Sequence, residues 1–123
     1  DQTKFYNPTG LKVEKEPENH SSVKDLANLS REILEKHPKI FELSSNETYQ
    51  VKKPNGELHH NLENTNILLN DYPEMIGGKT GFTDNAQKCL LTVVEHEQGY
   101  LINIILGSND RFGEMEKLIN HAQ

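Results

Sequence analysis

The sequence predicts an α+β domain of antiparallel strands with packed helices, and three observations predict it. Two apolar, β-rich runs, Cys89 to Val94 and Tyr100 to Leu106, are joined by a charged turn ending at Gly99. Two other segments carry apolar residues at helical spacing behind a capping residue, one from Ser22 and one from Asp110. The order of elements is loop, helix, hairpin, short helix, three antiparallel strands and a last helix, which is an α+β pattern.

Residues 1–20 are polar and broken by Pro8, Gly10 and Pro17, so they read as loop. Ser22-x-x-Asp25 has the form of a capping box with Asp in place of Glu. Behind it Val23, Leu26, Ala27, Ile33 and Leu34 trace one helical face until Pro38 stops the helix. Thr48, Tyr49 and Val51, the turn Pro54-Asn55-Gly56 and then Leu58 predict a hairpin. Asn64-Thr65-Asn66 caps a short helix through Leu69, closed by Pro73. Lys79-Thr80-Gly81 is expected to open the first strand of the final sheet. The near-continuous hydrophobicity of the next two strands suggests a sheet covered on both faces. After Gly107, Asp110 caps a helix whose apolar side is Phe112, Met115, Leu118, Ile119 and Ala122.

Composition bounds the function. A chain of 123 residues makes one small domain. Its hydrophobic content of 33% is thin, so part of its apolar surface is expected to be completed by other polypeptide. A net charge of −6 argues against nucleic acid or an anionic membrane as partner, since both need a basic face. No apolar run is long enough to span a bilayer, and no signal peptide is evident. The first residue is Asp1 rather than Met, the mark expected of a processed or excised piece. Cys89 is the only cysteine, so no internal disulfide can form. His59 and His60 are adjacent and on a strand would face opposite ways, with no Cys or carboxylate spacing to complete a metal site. Neither a metal nor a cofactor is expected.

The chemistry concentrates in Gly77-Gly78-Lys79-Thr80-Gly81-Phe82-Thr83-Asp84. A Lys-Thr-Gly triplet at a strand is what a serine acyl-transfer site uses to hold a carboxylate-bearing substrate. Around it stand Phe5-x-Asn7-Pro8-x-Gly10-Leu11 and His20-Ser21-Ser22-x-x-Asp25-Leu26-Ala27-x-Leu29-Ser30-Arg31. Asn64-Thr65-Asn66-x-Leu68-Leu69, Leu106-Gly107 and Arg111-Phe112 complete the set, in order and in register. Together these stretches resemble the D-alanyl-D-alanine carboxypeptidases, low-molecular-mass penicillin-binding proteins of the serine β-lactamase superfamily. The resemblance spans the whole chain but only the latter half of that family's catalytic domain. It implies a partial transpeptidase fold, with residues 1–123 as a single partial domain.

The family's reaction removes a terminal D-alanine from a peptidoglycan stem peptide through an acyl-enzyme, and β-lactams are its inhibitors. Three motifs serve it: Ser-x-x-Lys with the nucleophile, Ser-x-Asn, and Lys-Thr-Gly. The resemblance places the first two before Asp1, so this chain is expected to lack the nucleophile and to need the N-terminal half of the domain as its partner. Ser21-x-x-Lys24 and Ser44-x-Asn46 match both missing patterns in the right order. Their register in the resemblance, and the short space between them, mark them as decoys. The parent protein is expected in the bacterial cell envelope, outside the cytoplasm.

The resemblance also implies roles. Lys79 supplies positive charge for carboxylate and ionised intermediates, and Thr80 donates its hydroxyl to the terminal carboxylate. Gly81 lets the substrate backbone lie along the strand edge; as a local reading it is equally a bulge glycine. Phe82 contributes its backbone N–H as an oxyanion donor, its ring serving the rim or the core. Arg111 is expected to reach the carboxylate through its planar fork, or else to pair at the surface with Glu114 or Glu116. Asn7-Pro8-Thr9-Gly10 reads as a turn buttressing the cleft. Two departures stand out: Thr9 where the family often has histidine, and Gln87 where glycine is common. Two other readings remain. One is a non-catalytic module that binds a peptide or protein through an exposed strand edge. The other is a β-lactamase relative, against which the Phe5 to Leu11 stretch speaks.

Overall fold

A computed structural model describes residues 2–122. Helix α1 runs over Val23–Lys36, opened by Ser22, whose Oγ accepts from the Asp25 N–H at 3.2 Å. It ends where expected, before Pro38. The proline does more than stop it, however. Its backbone, at φ −58° and ψ −27°, caps a second short helix, α2 (Lys39–Ser44), which the sequence reading did not anticipate. A fixed helical φ and a missing N–H suit proline to a helix start as well as to a stop.

Strands β1 (Thr48–Lys52) and β2 (Leu58–Glu63) form the expected hairpin as a separate antiparallel ribbon, its side chains mostly exposed. Its register slips between Val51 and Lys52, which leaves His59 as the extra residue of a bulge. The two histidines therefore do not face opposite ways. Their rings lie edge to face at 4.7 Å, and their Nδ1 atoms are 2.5 Å apart. A bulge suspends the alternation of side chains, and that corrects the sequence expectation. A 3₁₀ turn at Ile67–Asn70 follows, capped by Asn66.

The main sheet has the order β3-β4-β5, all antiparallel, with β3 at an open edge. Strand β3 covers Met75–Thr83, β4 Gln87–His96 and β5 Gly99–Ser108. Lys79 thus sits inside β3 rather than opening it. At the paired glycines before it, α2 rests on the strand. A Cβ on Gly77 would come within 2.7 Å of the Phe41 carbonyl and of Ser44 Oγ. The Gly78 N–H donates to that same Ser44 Oγ at 3.0 Å.

Helix α3 (Arg111–Ala122) is capped by Asp110, whose carboxylate accepts from the Gly113 N–H at 3.2 Å. It packs on β4 and β5, and the core lies between them: Leu68, Leu69, Met75, Leu90, Val94, Ile105, Met115 and Ile119. Residues of the opposite parity on β4 and β5, such as Leu91 and Ile104, turn toward Leu26 of α1. Helices therefore stand on both faces of the sheet, as the continuous apolar runs suggested.

Candidate functional site

The triplet lies on an edge strand in regular pairing, Lys79 with Leu91, Thr80 with Leu90 and Gly81 with Cys89. Opposed residues of an antiparallel pair project to the same face. Leu90 belongs to the core under α3, so Thr80 projects to that face and Lys79 to the α1 face. Because β3 has no neighbour on its outer side among the described residues, both side chains have access to the same open edge.

Lys79 is exposed, and its ammonium folds back to donate to the Thr80 carbonyl at 2.6 Å. Thr80 Oγ1 lies 2.5 Å from Thr65 Oγ1. Gly81 pairs without a register shift, and the β3 bulge falls at Ile76 instead, so the bulge reading of Gly81 does not hold. A Cβ on Gly81 would meet nothing closer than Cys89 Cβ at 3.6 Å, an ordinary contact. The Phe82 ring is 58% exposed and lines a recess with Leu11, Lys12, Asp84 and Asn85, which is a rim position rather than a core one.

Arg111, the first residue of α3, is half-buried. Its Nη1 donates to the Gly81 carbonyl at 3.0 Å and lies 3.5 Å from that of Cys89. Its guanidinium sits 4.8 Å from the centre of the Phe112 ring, and its Nε is buried without a partner. The surface pairing with Glu114 or Glu116 is not formed. The ion pairs among the described residues are Lys12–Glu18, Lys36–Glu32 and Lys53–Glu57.

The Asn7 to Gly10 turn is closed by Asn7 Oδ1, which accepts from the Gly10 N–H and the Thr9 hydroxyl, both at 2.9 Å. Asn19 clamps it from behind, accepting from the Tyr6 and Asn7 N–H groups. The turn and Lys79 line one open recess, so the fold does bring these distant segments together. Gln87 adopts φ +58°, a left-handed conformation in which glycine is unstrained. Its own side-chain amide donates to the Asp84 carbonyl at 2.5 Å and braces the turn.

Both decoy serines have structural partners. Ser21 Oγ bonds Thr3 Oγ1 at 2.7 Å, while Lys24 is exposed. Ser44 Oγ receives the Gly78 N–H and donates to the Phe41 carbonyl at 3.1 Å. Asn46 Nδ2 bonds the last carbonyls of α2. Thr65 is the residue that sequence reasoning left without a role; its place between two capping asparagines was the available signal. Among the described residues no group of three or more His, Cys, Asp or Glu side chains comes together, and no helix is long and apolar enough to cross a membrane.

Known proteins resemble this chain in sequence and in fold. A family profile described as D-alanyl-D-alanine carboxypeptidase matches residues 1–110. The D-alanyl-D-alanine carboxypeptidase DacF of Bacillus subtilis is 32% identical over 124 residues, which cover 98% of this chain and 30% of that protein. Penicillin-binding protein D2 of Listeria monocytogenes, solved with cefotaxime bound, is 35% identical with a TM-score of 0.82, covering 96% of this chain and 47% of that one. A D-alanyl-D-alanine carboxypeptidase of Mycobacterium tuberculosis H37Rv is 26% identical with a TM-score of 0.70, covering 85% and 38%. The chain spans less than half the length of each of these relatives.

Proposed function

Because the chain belongs to the D-alanyl-D-alanine carboxypeptidase family, we propose that it forms the substrate-holding wall of a serine-type carboxypeptidase acting on peptidoglycan stem peptides. The observation that carries this is the triplet on an open edge strand, with the Lys79 ammonium and the Thr80 hydroxyl both able to reach that edge. A peptide ending in D-Ala-D-Ala lies along β3, its backbone close to Gly81, where a side chain would intervene. Thr80 donates to the terminal carboxylate. Lys79 supplies positive charge beside the carboxylate and the developing oxyanion. The Phe82 N–H is one oxyanion donor. Arg111, held behind Gly81, adds a cation to the same end of the cleft.

In this reading residues 1–123 are a partial domain, and the attacking serine belongs to a Ser-x-x-Lys motif outside them. The hydroxyls of Ser21 and Ser44 support that assignment, since each is committed to a neighbour that holds the fold. The chain by itself is then catalytically silent, as only positioning remains without the nucleophile. β-Lactams occupy the same edge; cefotaxime and ampicillin are bound in the structures of the Listeria relative. The parent acts in the cell envelope, where peptidoglycan is found.

Fluorescent penicillin tests this. In the intact protein an adduct is expected on a serine outside residues 1–123, competed by a D-Ala-D-Ala peptide and lost by at least a hundredfold in rate in Lys79→Met. Ser44→Ala is expected to leave acylation unchanged. An adduct mapped to Ser21 would overturn the placement of the nucleophile.

A further inference from the structure

Thr65 stands between two asparagines that the fold pins on every side. The Asn64 N–H donates to the Glu47 carbonyl at 2.8 Å. Its side-chain amide donates to the carbonyls of Ser44 at 2.9 Å and Asn46 at 3.0 Å, and its Oδ1 accepts from the Asn66 N–H. Asn66 is 4% exposed, caps the 3₁₀ turn through the Leu68 N–H and touches Met75 Sδ at 3.2 Å. Thr65 itself is exposed and belongs to no apolar cluster of the described residues. Among the described residues its hydroxyl meets one group, that of Thr80.

Proton counting gives this contact a direction. Each hydroxyl carries a single proton and can accept as well as donate. A carboxylate only accepts. When it sits against Thr80, the Thr80 proton goes to the carboxylate, and the short contact to Thr65 is kept only if Thr65 donates. Such a chain polarises itself, so the outer hydroxyl becomes a better donor than it is alone. We infer that Thr65 is a positioning residue, which orients the Thr80 hydroxyl outward as a donor and so tunes the site for a ligand ending in a free carboxylate. The inference rests on the proposed grip of Thr80 on that carboxylate. Thr65 need not touch the ligand.

The test compares, in the intact protein, an N-acylated peptide ending in D-Ala-D-Ala with the same peptide ending in a carboxamide. Thr65→Val is expected to raise KM for the acid about three- to tenfold with kcat within about twofold, the scale of one hydrogen bond. Affinity for the carboxamide is expected to stay within about twofold, and Thr65→Ser to restore the acid. Thr65→Ala serves as a second deletion, with circular dichroism and thermal unfolding confirming that each variant is folded. Unchanged acid binding in both deletions would overturn the inference while leaving the Thr80 reading intact. Equal losses for acid and carboxamide would also overturn it, since a merely structural role predicts that. If the unsubstituted protein does not distinguish acid from carboxamide, the grip of Thr80 itself fails, and the role of Thr65 with it.

Discussion

The guanidinium of Arg111 donates to the carbonyl of Gly81 at 3.0 Å, tying the first turn of α3 to the edge strand that carries the triplet. Arg111 therefore has a structural duty before any ligand arrives. Arg111→Ala is expected to lower stability by about 1.5–3 kcal/mol, the range for a hydrogen bond made by a charged group. Thermal unfolding without substrate reads this directly. Arg111→Lys should recover little, because an ammonium cannot reproduce the planar fork stacked near Phe112. A variant that melts like the parent yet binds peptide poorly would assign Arg111 to the ligand alone.

Gly77 and Gly81 make opposite demands. A Cβ on Gly77 runs into the Phe41 carbonyl at 2.7 Å, so Gly77→Ala must push α2 off β3. The expected cost is more than about 2 kcal/mol, seen as a lowered denaturant midpoint with the slope preserved. Gly81→Ala meets only an ordinary contact at 3.6 Å and should fold nearly as well as the parent. It is expected to lose peptide binding by tenfold or more, because its methyl, on the face shared with Lys79, crowds a substrate backbone drawn up against the edge.

Gln87 holds φ +58° without being glycine. A left-handed conformation costs an ordinary residue about 1–2 kcal/mol, part of which glycine returns through its looser unfolded chain. Gln87→Gly is expected to stabilise by roughly 0.5 kcal/mol after losing the brace to the Asp84 carbonyl. Denaturant titration checks the sign. A loss of stability would show that the brace outweighs the backbone strain.

The Asp25 carboxyl is held below the ordinary aspartate range, first by the Thr3 hydroxyl and then by the Gln2 N–H. A depressed folded value means that the unfolded chain takes up its proton first as pH falls. The contribution of Asp25 is therefore complete above the unfolded value near pH 4, and it is lost as pH drops through the lower folded value. Asp25→Asn should flatten the pH dependence of the unfolding midpoint below about pH 4 and leave the region above it parallel. An unchanged acid limb would remove Asp25 from the account.

How much was legible is clearest at particular residues. Ser22 and Asp110 announced their helices because a cap is a local matter of one side chain and one nearby N–H. The β4 and β5 runs were legible because continuous hydrophobicity survives without knowing what covers it. Helix α2 was hidden because one proline serves equally as a stop and a start. His59 was misjudged because a bulge depends on the partner strand. Gly77 and Gly78 carried no local explanation, because the atoms that a Cβ would strike come from α2 at Gly77 and from the Leu91 carbonyl of β4 at Gly78.

The sequence by itself determined the α+β class, the caps, the three late strands and the family, since each is written in short spacings or in a matched order of motifs. The tertiary structure decided what the triplet faces: Lys79 to the α1 side, Thr80 to the α3 side beside Thr65, and Gly81 backed by Arg111. It also turned Ser44 from a motif look-alike into the clamp between α2 and β3. The physical reason is distance along the chain. Thr65 and Thr80, Gly81 and Arg111, and Ser44 and Gly78 meet only because sheet pairing and helix packing close long loops. No local pattern records which side chains those closures bring together.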